Sequence, residues 1–135
     1  MNNIKRFPLT VLTVIAIWIL SLMPVKELHL ENVDLSDKTA HFLMYGGLSL
    51  VACIEYLYYR KRHQEYAFAS RKGLNLLLRG LILPALMGGL LELLQAYCTN
   101  GNRSGDWLDA VANCIGAILG YTISLLICLV LRQKR

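Results

Sequence analysis

A chain of 135 residues that is 56% hydrophobic and only 17% charged lies outside the range of ordinary soluble domains and reads as an all-α integral membrane protein. The net charge of +5 is patterned along the chain in a way that suits membrane topology and contact with anionic lipid, so nucleic acid is excluded as the partner that charge implies. Four scattered cysteines without CxxC spacing exclude a zinc ribbon or a disulfide framework, and no pairing of Cys98 with Cys114 is assigned.

Four apolar stretches approach the roughly 20 residues of helix that a hydrocarbon core demands. They run from about Phe7 to Met23, Ala40 to Tyr59, Leu74 to Tyr97 and Ala110 to Leu131, and predict a four-transmembrane-helix bundle as one domain over residues 1–135. Basic residues set the orientation, because Lys and Arg beside short loops stay on the cytoplasmic side. Lys5 and Arg6, then Arg60, Lys61, Arg62, Arg71 and Lys72, then Arg132, Lys134 and Arg135 all fall on one side. Both termini are therefore expected in the cytoplasm of a bacterium, with the protein in its inner membrane.

The first stretch, PLTVLTVIAIWILSLM, has the basic start and apolar run of a signal peptide but no small-x-small cleavage site before Pro24, which predicts an uncleaved anchor. The following loop alternates apolar and acidic residues and suits the outer interface; His29 there reads as a surface residue. The second stretch opens on Ser36-Asp37-Lys38, a helix-start signal. Asp37, His41 and Tyr45 follow at intervals of four and share one face, reaching about 12 Å inward at 1.5 Å per residue. Taken singly, His41 reads as a hydrogen-bonded core histidine and Tyr45 as an interfacial aromatic. Glu55, toward the inner end, is expected to pair with Arg79 of the third stretch, since charges in a bilayer pair or snorkel.

The third stretch carries Pro84 in mid-span and then Gly88 and Gly89, predicting a kink or a close crossing. Glu92 and Gln95 sit three apart near its outer end. Glu92 is the most informative residue in the chain, because an isolated acid in an apolar helix is a functional candidate by default. After a turn-forming loop with Asn100, Gly101, Asn102 and Arg103, the fourth stretch begins at Asp106. There Asp106, Asp109, Asn113, Gly116 and Gly120 recur at spacings of three, four, three and four, one helical seam that is polar at its start and glycine-lined further in. Trp107 reads as an interfacial anchor. The glycine strip predicts a close helix contact; a homodimer through it is compatible with the sequence but has no independent support there.

Asp37, Lys38, His41, Tyr45, Glu92, Gln95, Arg103, Asp106, Asp109 and Asn113 thus fall in one outer layer, contributed by separate segments of the chain. A shared polar cleft is expected there.

The pattern Asp37-Lys38-x-x-His41-Phe42-x-x-Tyr45, Glu92-x-x-Gln95, Arg103, Asp106-x-x-Asp109 and Asn113-x-x-Gly116-x-x-x-Gly120 resembles the VanZ-like family of small bacterial membrane proteins. Ser21-x-x-Pro24 is similar to that family's ending of the first helix, and the resemblance extends from about Ser21 to Tyr121. It implies a role in the cell envelope, the founding member being linked to resistance to the glycopeptide teicoplanin, and it supplies no defined biochemical activity. The basic loop from Arg60 to Lys72 is not part of the shared pattern.

Three functions compete. In the first, the outer cleft binds a lipid-linked envelope precursor, a glycopeptide or a lipid headgroup. Arg103 and Lys38 then meet phosphate or carboxylate, the acids and Asn113 meet hydroxyls or amines, and Tyr45 and Trp107 pack on apolar faces. In the second, a membrane enzyme uses His41 with Glu92 or Asp109 as general base and orienting acid, or a divalent metal on His41, Asp37, Glu92 and Asp106. In the third, the acids and Arg103 only neutralise each other in a structural bundle. The sequence holds no nucleophile motif, HExxH, phosphate loop or pair of metal-binding histidines, so binding is favoured, no cofactor is implied and no metal site is assigned. Ion transport is disfavoured because the middle of these helices is almost free of polar groups.

Overall fold

The computed structural model describes residues 6–23, 37–62, 71–98 and 106–133, all of them helical or next to a helix end. Helix α1 covers Pro8–Leu22, α2 Asp37–Arg62 and α4 Trp107–Gln133. Helix α3 is continuous but mixed: α-helical over Arg71–Leu77, π-helical over Leu78–Ile82 and α-helical again over Leu83–Cys98. The three later helices are long and apolar enough to cross a membrane. At 15 residues, α1 is apolar but only about 22 Å long, short of a hydrocarbon core of roughly 30 Å.

Contacts fix how the helices run. Helix α2 lies antiparallel to α1, because Glu55 near its end meets Leu9 and Thr10. It lies parallel to α4, because His41 meets Asn113 and Ser49 meets Ala117. Helix α3 is antiparallel to α4, Glu92 near its end meeting Asn113 near the start of α4. One end of the bundle therefore holds the start of α1 and the end of α4; the other holds the starts of α2 and α4 and the end of α3.

The α2–α4 contact is the tightest in the fold, and its cause is the glycine seam. A Cβ on Gly116 would collide with the Phe42 carbonyl and lie 3.1 Å from the Gly46 nitrogen, and one on Gly120 would collide with the Gly46 carbonyl. Backbones meet there because no side chain stands between them. The glycine strip of α4 is thus filled from within the chain by α2.

Pro84 accounts for the irregular turn in α3. Proline has no N–H to give the carbonyl four residues earlier, and its ring crowds that carbonyl, so the ladder opens just ahead of it. Four residues before Pro84 is Gly80, inside the π segment. Its freed carbonyl accepts the hydroxyl of Ser49, which also bonds the Ala117 carbonyl at 2.8 Å. Ser49 is fully buried, and its single hydroxyl ties three helices together. The kink expected from Pro84, Gly88 and Gly89 takes this form.

Glu55 and Arg79 do not form the ion pair expected from their depth. Glu55 accepts the backbone N–H groups of Leu9 at 2.9 Å and Thr10 at 2.8 Å and the Thr10 hydroxyl at 2.7 Å. It thereby caps the start of α1, whose N–H groups carry the positive end of the helix dipole and have no side-chain cap of their own. Arg79 instead lies over the rings of Phe7, at 4.6 Å, and Tyr56, at 5.6 Å. The free N–H groups of a recessed helix start out-compete a guanidinium for the carboxylate, since satisfying them removes several unpaired donors at once.

Two apolar clusters fill the interior. Phe7, Cys53, Tyr56 and Leu76 pack at the end near the start of α1. Ile17, Tyr45, Leu48 and Leu91 pack toward the other. Leu9, Leu12, Ile15, Leu86, Leu93, Leu126 and Leu129 point outward, as lipid-facing positions would. All four cysteines are free.

Candidate functional site

The polar centre is built where α2, α3 and α4 meet, at the end remote from Glu55. Its inner members are His41, Glu92, Asp109 and Asn113, exposed to 1%, 6%, 3% and 0% respectively, so each depends on the others for the partners that water would otherwise supply. Gly88 makes room for it: a Cβ there would lie 2.8 Å from that of Asn113, so glycine lets the α4 seam close onto α3.

Glu92 accepts from two directions. Its Oε1 takes the Asn113 amide at 3.4 Å and its Oε2 the Asp106 backbone N–H at 3.3 Å. His41 Nδ1 lies 3.1 Å from Asn113 Oδ1 and 3.3 Å from Glu92 Oε1. Both neighbours are acceptors, so Nδ1 is the ring nitrogen placed to donate to them.

An outer layer covers this core. Lys38 reaches Asp106 at 3.3 Å and Asp109 at 3.7 Å and remains half-exposed. Asp106 caps α4 by accepting the Leu108 N–H at 3.0 Å. That N–H, aided by the Lys38 ammonium, holds the Asp106 carboxyl below the usual carboxylate range. Among the described residues, three carboxyl groups, those of Glu92, Asp106 and Asp109, accompany one ammonium, that of Lys38.

Of the residues expected in the cleft, Lys38, His41, Glu92, Asp106, Asp109 and Asn113 come together. Gln95 and Tyr45 lie beside them with different contacts. Gln95 donates to the Ser21 carbonyl at 2.7 Å and so fastens the end of α3 to that of α1. Tyr45 is wholly buried rather than interfacial, packed with Ile17, Leu48 and Leu91. Its hydroxyl has no hydrogen-bond partner among the described residues, although it lies within electrostatic reach of Glu92. Arg103, His29 and the side chain of Asp37 lie outside the described residues. Trp107 is exposed, in keeping with an interfacial anchor.

The sequence reading missed Ser21 as a partner of Gln95, whose only trace is a polar residue at the end of an apolar stretch. The sequence predicts Asp109 as an acid beside His41 but not as a member of a group that could hold a metal ion. Donor atoms of His41, Glu92 and Asp109 lie within 4.8 Å of one another, all three residues buried. Of the expected ligands, His41 and Glu92 are joined here by Asp109, which faces inward while Asp106 caps its helix; the side chain of Asp37 lies outside the described residues. One imidazole and two carboxylates form a donor set that suits zinc, manganese or iron.

A family model described as VanZ/LLP1 matches residues 3–130. No curated protein and no solved structure gives a significant match to the chain.

Proposed function

From the chain's membership of the VanZ/LLP1 family, we propose that it is an envelope membrane protein, inserted with both termini in the cytoplasm, whose outer polar centre binds the polar head of a lipid-linked or glycopeptide-type ligand. In this role it contributes to resistance to teicoplanin-type glycopeptides. The observation that carries the reading is the convergence of Glu92, His41, Asp109 and Asn113 from three helices into one buried cluster inside a largely apolar bundle. A lone acid in such a bundle would cost several kcal/mol, and ligand recognition is a reason to keep four polar groups there. The excess of carboxylate over ammonium favours amines and hydroxyls as the groups held at the inner layer. Arg103 and Lys38 supply the cations for phosphate or carboxylate at the rim.

In the test, cells expressing the protein are challenged with a glycopeptide. Glu92→Gln and Arg103→Ala each abolish the gain in tolerance while the protein still inserts at the normal level. Unchanged tolerance in both variants overturns the reading and leaves a structural bundle.

The mutual approach of His41, Glu92 and Asp109 favours a second reading, a membrane enzyme acting on an envelope lipid or lipid-linked precursor. Glu92 beside Nδ1 orients the imidazole so that Nε2 serves as general base, with the carboxylate stabilising the imidazolium that forms. Alternatively, His41, Glu92 and Asp109 hold a divalent ion, which would act as a Lewis acid. Turnover of a lipid-linked substrate that vanishes in His41→Ala supports this reading, and near-stoichiometric metal in gently purified protein, lost in Glu92→Gln, supports the metal form. Absence of turnover across a broad lipid panel argues against it.

A further inference from the structure

At the end of the bundle remote from the polar centre, Arg79 has no anion beside it among the described residues. Its guanidinium rests over the rings of Phe7 and Tyr56 and forms no salt bridge among the described residues. The acid at similar depth, Glu55, is engaged by the start of α1. Guanidinium does not shed its proton in proteins, so this charge persists and calls for a counter-charge from outside the fold.

Beside Arg79 lies a cavity of about 200 Å³ between α1, α2 and α3. Phe7 and Arg79 mark one end of it, and Val14 and Met87 the other; Leu48 and Ala52 of α2 form its back. Only Thr10 and Arg79 among its lining residues are polar, and the Thr10 hydroxyl is already bound to Glu55. For scale, an apolar cavity of about 150 Å³ is enough to hold benzene.

The cavity runs along the flank of α1, from Phe7 to Val14. Glu55, which meets the start of α1, lies seven residues before the end of α2 at Arg62, or about 10 Å along the helix axis. Pro8, where α1 starts, therefore lies well inside the end of α2, and the cavity forms a bay beside it. Two more cations lie at the same end of the bundle, Arg6 4.9 Å from the Tyr59 ring centre and Arg60 5.8 Å from that of Tyr56.

We infer that this bay binds one anionic phospholipid from the leaflet next to the chain termini, with its phosphate on Arg79 and one acyl chain in the cavity. The apolar lining takes the chain, and the uncompensated guanidinium selects a negative headgroup over a zwitterionic one. The site is independent of the polar centre and of any ligand bound there.

The test compares phosphatidylglycerol with phosphatidylcholine of identical chains, bound to the purified full-length protein and read by native mass spectrometry. The wild type retains phosphatidylglycerol about fivefold better, the preference that one basic residue near an anionic surface provides. Arg79→Gln removes the preference, Arg79→Lys keeps most of it, and Val14→Phe, which fills the cavity, lowers retention of both lipids. Equal retention of the two lipids by the wild type overturns the proposal, and this comparison needs no variant to fold. A preference that survives in Arg79→Gln overturns the phosphate seat, and unchanged retention in Val14→Phe overturns the acyl-chain seat.

Discussion

His41 Nδ1 and Glu92 Oε1 approach to 3.3 Å across the α2–α3 interface, although the residues stand 51 positions apart and each is shielded from water. The contact joins the only imidazole in the described residues to the acid that is most out of place in its own helix. Asn113 bridges the two from α4, so the three helices report to a single point.

A glycine in the α2–α4 seam and one outside it differ in what an added carbon would meet. Gly116→Ala forces α2 and α4 apart and lowers stability by about 1–3 kcal/mol, the usual cost of overpacking, because its Cβ meets backbone and not a movable side chain. Gly47→Ala, with nothing within 4 Å of the added carbon, changes stability by no more than about 0.5 kcal/mol. Thermal unfolding of both variants in the same detergent checks the contrast.

Ser49→Ala strips a buried hydroxyl from two carbonyls, those of Gly80 and Ala117, and costs about 1–3 kcal/mol. In a Pro84→Ala background the new N–H can serve the Gly80 carbonyl, so the same change costs less there. A double-mutant cycle reads the difference as a coupling energy; independent, additive effects would refute this account of the π turn.

Glu55→Ala uncovers the start of α1 and lowers stability by about 1–2 kcal/mol, and Glu55→Gln has a smaller effect because the amide oxygen still accepts one N–H. Hydrogen exchange localises the loss: the Leu9 and Thr10 amides, which bond Glu55 in the wild type, exchange faster in Glu55→Ala. Unchanged protection at these two amides would rule out the cap.

Asp106 gives the cover of the polar centre an acid limit. The Leu108 N–H and Lys38 depress its folded-state pKa, so its stabilising effect is complete above the ordinary carboxylate pKa of about 3.9 and fades as pH falls through the lower folded value. Stability near pH 7 is therefore insensitive to this group's titration. Melting curves below pH 4 should fall more steeply for the wild type than for Asp106→Asn, which has no proton to gain.

Much of the architecture is written along the chain. Helical spans follow from runs of apolar residues, and the three-four spacing of Asp106, Asp109, Asn113, Gly116 and Gly120 marks a contact seam because helical periodicity is local. Pro84 likewise announces an irregular turn, since a missing N–H acts on the carbonyl four residues back whatever surrounds it. The partners of those features are decided only when the helices pack. Depth alone suggests that Glu55 pairs with Arg79, yet the short α1 offers unpaired amides that bind the acid better and leave the arginine on aromatic rings. Asp109 turns toward His41 and Glu92 while Asp106, one helical turn earlier, caps its own helix. Spacing places both acids on one face, and the rotation and crossing of neighbouring helices determine which one looks inward.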